Sequence, residues 1–233
     1  MNRFFLKIAR FIIPHMPRGK SLAIRTALAL FGYKFGDVIT LPDGRKFYIS
    51  IISPVKKHLF FANKYDISFI GQYNSQQYPN REKYLQSISN FDLNIWGTKG
   101  WAKTPLAGLY HGHSVGDQRY DIYGHSKIVL DINWDLMPVE GLSNRPFEVA
   151  GCGAMFMTDH VREDIKRAYR AGEEVVLFKD EHELREKIQY YLKHDTEREK
   201  IARAGYSRTV AEHTYYNRIK QLIDTIENPN KYS

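Results

Sequence analysis

Glu140-Gly-Leu-Ser-Asn-Arg145-Pro-Phe-Glu148-Val-Ala-Gly151-Cys-Gly153, running on into Ala154-Met-Phe-Met-Thr158, is the stretch that decides how this chain is read. Asn144 stands where a helix N-cap belongs, and Pro146 suits a first turn because its missing N–H costs no bond there. Glu148 falls about one turn further on. Gly151 and Gly153 then stop the helix early. The run after them is apolar throughout and too short for a helix, so it reads as a strand buried on both faces. A short helix feeding such a strand is the repeating unit of a parallel sheet.

The same alternation extends in both directions. Strands are predicted at residues 67–70, 93–96, 128–132, 154–158 and 174–178. Helices are predicted at 81–89, 118–124, 144–150, 161–171, 181–193, 196–212 and 215–226. Short apolar strands separated by helices require right-handed crossovers and a sheet covered on both faces. The expected fold class is therefore α/β, a Rossmann-like parallel sheet over residues 66–228, with a tail at 229–233. The two Lys/Glu-rich helices read as solvated faces over an apolar stripe of Leu184, Ile188, Tyr191 and Leu192. Residues 1–65 read as an appendage of helices and a β-hairpin, in which Pro42-Asp43-Gly44 turns the chain between strands at 37–41 and 45–51.

With 43% hydrophobic and 26% charged residues the composition is globular. The lone Cys152 rules out an internal disulfide and a thiolate metal cluster, which points to a reducing cytoplasmic compartment. The net charge of +8 is unevenly placed: residues 1–36 hold seven Lys and Arg and no acid, and the remainder holds 27 bases against 26 acids. A basic arm on a near-neutral body is no nucleic-acid footprint, so none is expected as a partner. In the arm Phe4, Ile8, Phe11 and Ile12 share a helical face, with Arg3, Lys7 and Arg10 elsewhere. The run is too short and too charged to span a bilayer, and it lacks the form of a signal peptide. Two readings stay open: a helix packed on its own protein, or a contact of residues 1–34 with anionic lipid at the inner membrane face.

In a parallel α/β sheet the ligand lies beyond the carboxyl ends of the strands. Three places meet that rule: Gly71 in Phe69-Ile70-Gly71-Gln72-Tyr73, Asn133 in Asp131-Ile132-Asn133-Trp134, and the helix start at Arg145. A helix start offers free N–H groups to a diphosphate, and Arg145 adds a planar fork for its oxygens. Glu148 suits the vicinal hydroxyls of a ribose. The plainer alternative is a surface ion pair between Arg145 and Glu148. On the ligand reading, replacing either with Ala should weaken nucleotide binding and leave folding intact. His111, His113 and His125 lack further ligands at suitable spacing, so no metal site is expected. Cys152 reads as packed rather than nucleophilic.

The run from Asn144 to Asp159 is similar to the Arg-x-Phe-Glu-x-x-x-Cys-Gly signature of the CgeB/YkvP spore-protein glycosyltransferase-like family. Further landmarks agree in order: Asp66-Ile-Ser-Phe-Ile-Gly71, Ser126-Lys127-Ile128, Glu173-Glu-Val-Val-Leu-Phe178 and His213-Thr-Tyr-Tyr-Asn-Arg218, so the likeness covers residues 66–226. It implies the C-terminal, donor-binding half of a GT-B glycosyltransferase. The implied reaction moves a sugar from a nucleoside diphosphate to an acceptor, without metal or cofactor. The implied donor site is Arg145, Glu148, Gly71, Gly151 and Gly153, joined by Asn133. Lys127 either reaches phosphate or is a solvated lysine. Seven residues separate Glu140 from Glu148, the spacing of paired glutamates in many retaining members. Glu140 is therefore the catalytic candidate, or else an ordinary loop charge. Residues 1–65 are too short for the acceptor-binding half of a GT-B enzyme. A homodimer or a second protein would then complete the cleft; alternatively, the chain is a non-catalytic nucleotide-binding or interaction module docking through its basic arm. Leu41-Pro-Asp-Gly-Arg-Lys-Phe-Tyr48, His58-Leu-Phe-Phe61 and Tyr65-Asp66 resemble the lead-in of FkbM-type methyltransferases, but no glycine-rich cofactor loop follows.

Overall fold

The computed structural model describes residues 38–40, 46–48, 63–114, 116, 118–133, 142–161, 163–214 and 217. The chain divides into two compact units, Ser53–His213 on the one hand and Met1–Ile52 with Thr214–Ser233 on the other. Within the second of these, β1 (Val38–Thr40) and β2 (Lys46–Tyr48) pair antiparallel, with Val38 opposite Tyr48. That is the predicted hairpin. The predicted helices of the basic arm, and all of that at 215–226 except residue 217, lie outside the described residues.

The larger unit is built on five strands: β3 (Tyr65–Ile70), β4 (Leu93–Trp96), β5 (Ser126–Asp131), β6 (Met155–Asp159) and β7 (Val176–Phe178). Every pairing is parallel, in the order β4-β3-β5-β6-β7. Between them run α1 (Pro79–Ser87), α2 (Gln118–Gly124), α3 (Arg145–Gly151) and α4 (Asp164–Ala168), and after β7 come α5 (Glu181–Lys193) and α6 (Asp195–Glu212). This is the expected Rossmann-like α/β architecture.

The period-two alternation of each strand sorts its side chains into two cores. Ile67, Phe69, Ile128, Leu130, Met155, Met157, Val176 and Phe178 pack with Leu85 of α1 and with Leu184 and Ile188 of α5. Val129 and Phe156 face the other way, onto Tyr123 of α2, Val149 and Ala150 of α3, and Ile165 and Ala168 of α4. Burial on both sides explains why these strands are predominantly apolar rather than alternating.

Three local expectations change. The helix predicted at 161–171 is only Asp164–Ala168. Tyr169 leaves it in an extended conformation, is fully buried, and its hydroxyl hydrogen-bonds that of Thr209 on α6 at 2.7 Å. Asn144 sits at the start of α3 with helical dihedrals and no side-chain cap; the Ser143 hydroxyl accepts from Arg145 N instead, at 3.4 Å. Two 3-10 turns, Lys99–Lys103 and Ala107–Leu109, follow β4 where the polar sequence reads as plain loop. The first is anchored by the buried Trp101, whose indole N–H donates to the Gly71 carbonyl at 2.8 Å. Among the described residues no helix is long and apolar enough to cross a membrane.

Candidate functional site at the sheet switch point

From β3 the chain moves to one edge of the sheet, and from β5 to the other. A crevice therefore opens beyond the carboxyl ends of these two neighbours, where helices on opposite faces diverge. Its first wall begins at Gly71, whose N–H donates to Trp96 O at 2.9 Å. The space that a side chain would need at Gly71 is taken by the Phe69 ring, 2.6 Å from an ideal Cβ. Its carbonyl is approached so closely that a Cβ on Gly97 would stand 1.9 Å away. Glycine at 71 and 97 thus serves the packing of the wall itself.

The second wall is the exit of β5. Asn133 is held by three bonds: its backbone N–H donates to Asp159 at 2.6 Å, and its amide donates to Thr158 Oγ1 and Asp159 Oδ1, both at 3.0 Å. Asp131, one of the most buried carboxylates, receives the guanidinium of Arg145 from α3. Burial disfavours the charge on Arg145, but the carboxylate beside it reverses that and leaves the guanidinium more basic than usual. Burial raises the Asp159 carboxyl above its ordinary value, opposed by the Asn133 bonds.

Glu148 does not pair with Arg145. Its Oε1 accepts from Arg119 Nη2 at 3.1 Å and from the Tyr120 hydroxyl at 3.4 Å, both on α2. The Arg119 guanidinium lies over the Tyr120 ring at 4.8 Å, and its buried Nε finds no partner among the described residues. The plainer alternative, a surface ion pair between Arg145 and Glu148, does not form; two pairs instead tie α3 to β5 and to α2. The Asp131 pairing also changes the expectation that Arg145→Ala folds normally, because removal would strand a buried carboxylate. Since α3 has seven residues, its backbone dipole is a small contribution beside the full charge of Arg145.

Between the two walls lies a residue that the sequence reading missed. Arg81, in the first turn of α1, is buried and donates to Gln72 O at 2.8 Å through Nη1. Its Nε and Nη2 donate to Ile132 O at 3.2 and 2.7 Å. The guanidinium lies 3.5 Å from the Tyr78 ring centroid and 5.3 Å from that of Phe69. Burial lowers its pKa to about 10, with Asp131 opposing the shift, so it stays charged at neutral pH. Within Pro79-Asn80-Arg81-Glu82-Lys83 it looks like one more solvated helix charge, and no local signal marks it out.

The remaining candidates separate. Gly151 is buried as the last residue of α3, and Gly153, at φ 81, makes the left-handed turn into β6. Lys127 is not brought to the crevice: it lies at the amino-terminal end of β5, with Nζ 2.6 Å from Asp66. Glu140 lies outside the described residues. His111 hydrogen-bonds Asn94 at 2.7 Å and stacks on Trp96 at 4.8 Å, and His125 binds the Asp121 carbonyl at 2.7 Å. Among the described residues no group of three His, Cys, Asp or Glu side chains is placed to hold a metal.

Sheet order, layering and a polar cluster at the switch point define a Rossmann-like domain of the kind that forms half of a GT-B protein. The chain belongs to the glycosyl transferase-like family, whose sequence model matches residues 80–224. It is similar to the spore protein CgeB of Bacillus subtilis (strain 168), 24% identical over 157 residues that cover 59% of this chain and 48% of CgeB. The chain thus spans about half the length of that curated relative. Among solved structures it resembles a glycosyltransferase from Rickettsia africae, at a TM-score of 0.56 and 12% identity over 73% of this chain and 49% of that one. Anabaena HepE, solved in complex with UDP-glucose, also gives a TM-score of 0.56, at 10% identity over 77% of this chain and 54% of HepE. At such identities the likeness is one of fold.

Proposed function

We propose that this chain transfers a sugar from a nucleoside diphosphate donor to an acceptor, with the donor in the crevice beyond β3 and β5. One observation carries the reading: α3 brings Arg145 and Glu148 to the carboxyl edge of the sheet, and each is anchored by a different neighbour. Asp131 takes Nη1 of Arg145, while a quarter of that side chain remains exposed. A guanidinium has five N–H donors, more than one carboxylate consumes, so Arg145 can be held in place and still meet diphosphate oxygens. Both contacts to Glu148 fall on Oε1, and Oε2 is the oxygen proposed for the ribose hydroxyls.

In the transfer, an acceptor nucleophile bonds to the anomeric carbon as the bond to the diphosphate breaks; the diphosphate leaves with that electron pair, and the acceptor's proton passes to a base on the acceptor side or to solvent. The charge developing on the leaving group is stabilised by Arg145, with no metal needed. Asn133, Gly71, Gly151 and Gly153 shape the backbone around the donor, and Glu140 is the carboxylate proposed at the sugar. The acceptor side is completed by a second copy, a second protein or further chain. The seven cations of the basic arm favour a contact with anionic lipid.

Isothermal titration with UDP, GDP and their sugar conjugates tests the reading. One base should bind selectively, and Glu148→Gln should weaken that binding at least about tenfold with little change in melting temperature, since its ion pair with Arg119 is partly solvated. Equal affinity in wild type and Glu148→Gln would remove Glu148 from the site. Binding without release of free nucleotide in the presence of acceptor extracts would favour a binding module over an enzyme.

A further inference from the structure

We infer that Arg81 is a positioning residue of this crevice: by holding the carbonyls of Gln72 and Ile132 it fixes the separation of the two loops between which a nucleoside diphosphate lies. The inference rests on the donor reading above. The parallel ladder between β3 and β5 has its last registered pair at Phe69 and Leu130. Beyond that point the loops diverge, and Arg81 crosses between them, with one nitrogen on Gln72 O and two on Ile132 O. The fork is planar and rigid, and it is clamped by the Tyr78 and Phe69 rings. The bond set therefore specifies a distance between the loops as well as a connection.

The fork also acts on the field in the crevice. The Gln72 and Ile132 carbonyl oxygens are occupied by a buried cation. Arg81 and Arg145 lie close enough to influence one another, with Asp131 attracting both. Arg81 thus acts through the loops, and Arg145 is the cation proposed to meet the phosphates. A lysine at position 81 would keep the charge, but its single ammonium cannot reproduce the three-nitrogen span.

The test compares UDP, GDP and UMP binding to wild type, Arg81→Lys and Tyr78→Leu by titration calorimetry, with near-ultraviolet circular dichroism confirming native packing. Arg81→Lys should bind the preferred diphosphate at least about tenfold more weakly, with a smaller loss for the monophosphate. Should Arg81→Lys fail to fold, Tyr78→Leu reads the same property, since it keeps every donor of the fork and removes the ring that clamps it. An unchanged diphosphate affinity in a folded variant, or an equal loss for mono- and diphosphate, would overturn the role of Arg81 and leave the donor site standing. A wild type that binds neither UDP nor GDP would overturn both.

Discussion

Arg145 binds Asp131, 14 positions earlier in the chain, and leaves Glu148, on the next turn of its own helix, to Arg119. The first contact joins α3 to the end of β5, and the second joins α3 to α2. The two groups proposed to meet the donor, neighbours at i and i+3 on one short helix, are thereby fixed by separate elements.

The Arg145–Asp131 contact should be visible in a double-mutant cycle. Asp131→Asn and Arg145→Met each break a largely desolvated pair, and each is expected to cost about 3–5 kcal/mol. The double variant should lose clearly less than the sum, because neither charge is left alone. Urea denaturation of the four proteins measures this. Additive losses would mean that the two side chains do not interact in solution.

Asp159 should leave a signature in the pH dependence of stability. Its carboxyl titrates above the ordinary 3.8 because it is buried, although Asn133 donates two hydrogen bonds to it. Between 3.8 and the raised value the folded chain holds more protons than the unfolded chain, so stability falls as pH rises through that window. Above the window the cost is constant. Asp159→Asn removes this component, and the stability of wild type minus that of the variant should decline as pH rises above 3.8 and then level off. A difference that grows with pH would contradict a raised carboxyl.

Gly205 sets helix propensity against packing. It lies inside α6, where Gly→Ala ordinarily adds about 0.5–1 kcal/mol of stability. Here a Cβ would stand 2.5 Å from the carbonyl oxygen of Glu174, a backbone atom unable to rotate away. Gly205→Ala should therefore destabilise, by about 1–3 kcal/mol. Thermal melts decide the sign, and a higher melting temperature would show that α6 has room to move outward.

Cys152 should be chemically silent in the native state. It is buried, and that burial, with Glu148 adding to it, pushes the thiol pKa up to about 12, so almost no thiolate exists at neutral pH. Iodoacetamide should leave the folded protein unmodified and label it once in denaturant. Rapid labelling of the native protein would argue for an open α3.

The sheet was legible because its signals are local. Largely apolar runs such as Ile67-Ser-Phe-Ile70 and Ile128-Val-Leu-Asp-Ile132 are set by burial on both faces, and the glycines after Glu148 mark the end of a helix within a few residues of where it ends. The hairpin followed from Pro42-Asp43-Gly44 for the same reason. Position beyond the carboxyl ends of strands likewise pointed to Arg145, Glu148, Gly71 and Asn133 without any knowledge of their partners. Asn144 does stand at the N-cap of α3, though without a side-chain cap bond, and α4 is shorter than expected because Tyr169 leaves the helix for the core, where it meets a hydroxyl 40 positions away.

Amino-acid order by itself determined the element types, the parallel layering and the segment that carries the candidate site. Which charge meets which was decided only in three dimensions. Arg81 reaches Ile132 across 51 positions, Arg119 reaches Glu148 from the neighbouring helix, and Lys127 ends up at the amino-terminal end of β5, away from the crevice. Periodicity reports how a residue faces its own element, because burial acts over one or two turns. An ion pair reports which elements the topology has made neighbours, and no short-range pattern encodes that choice.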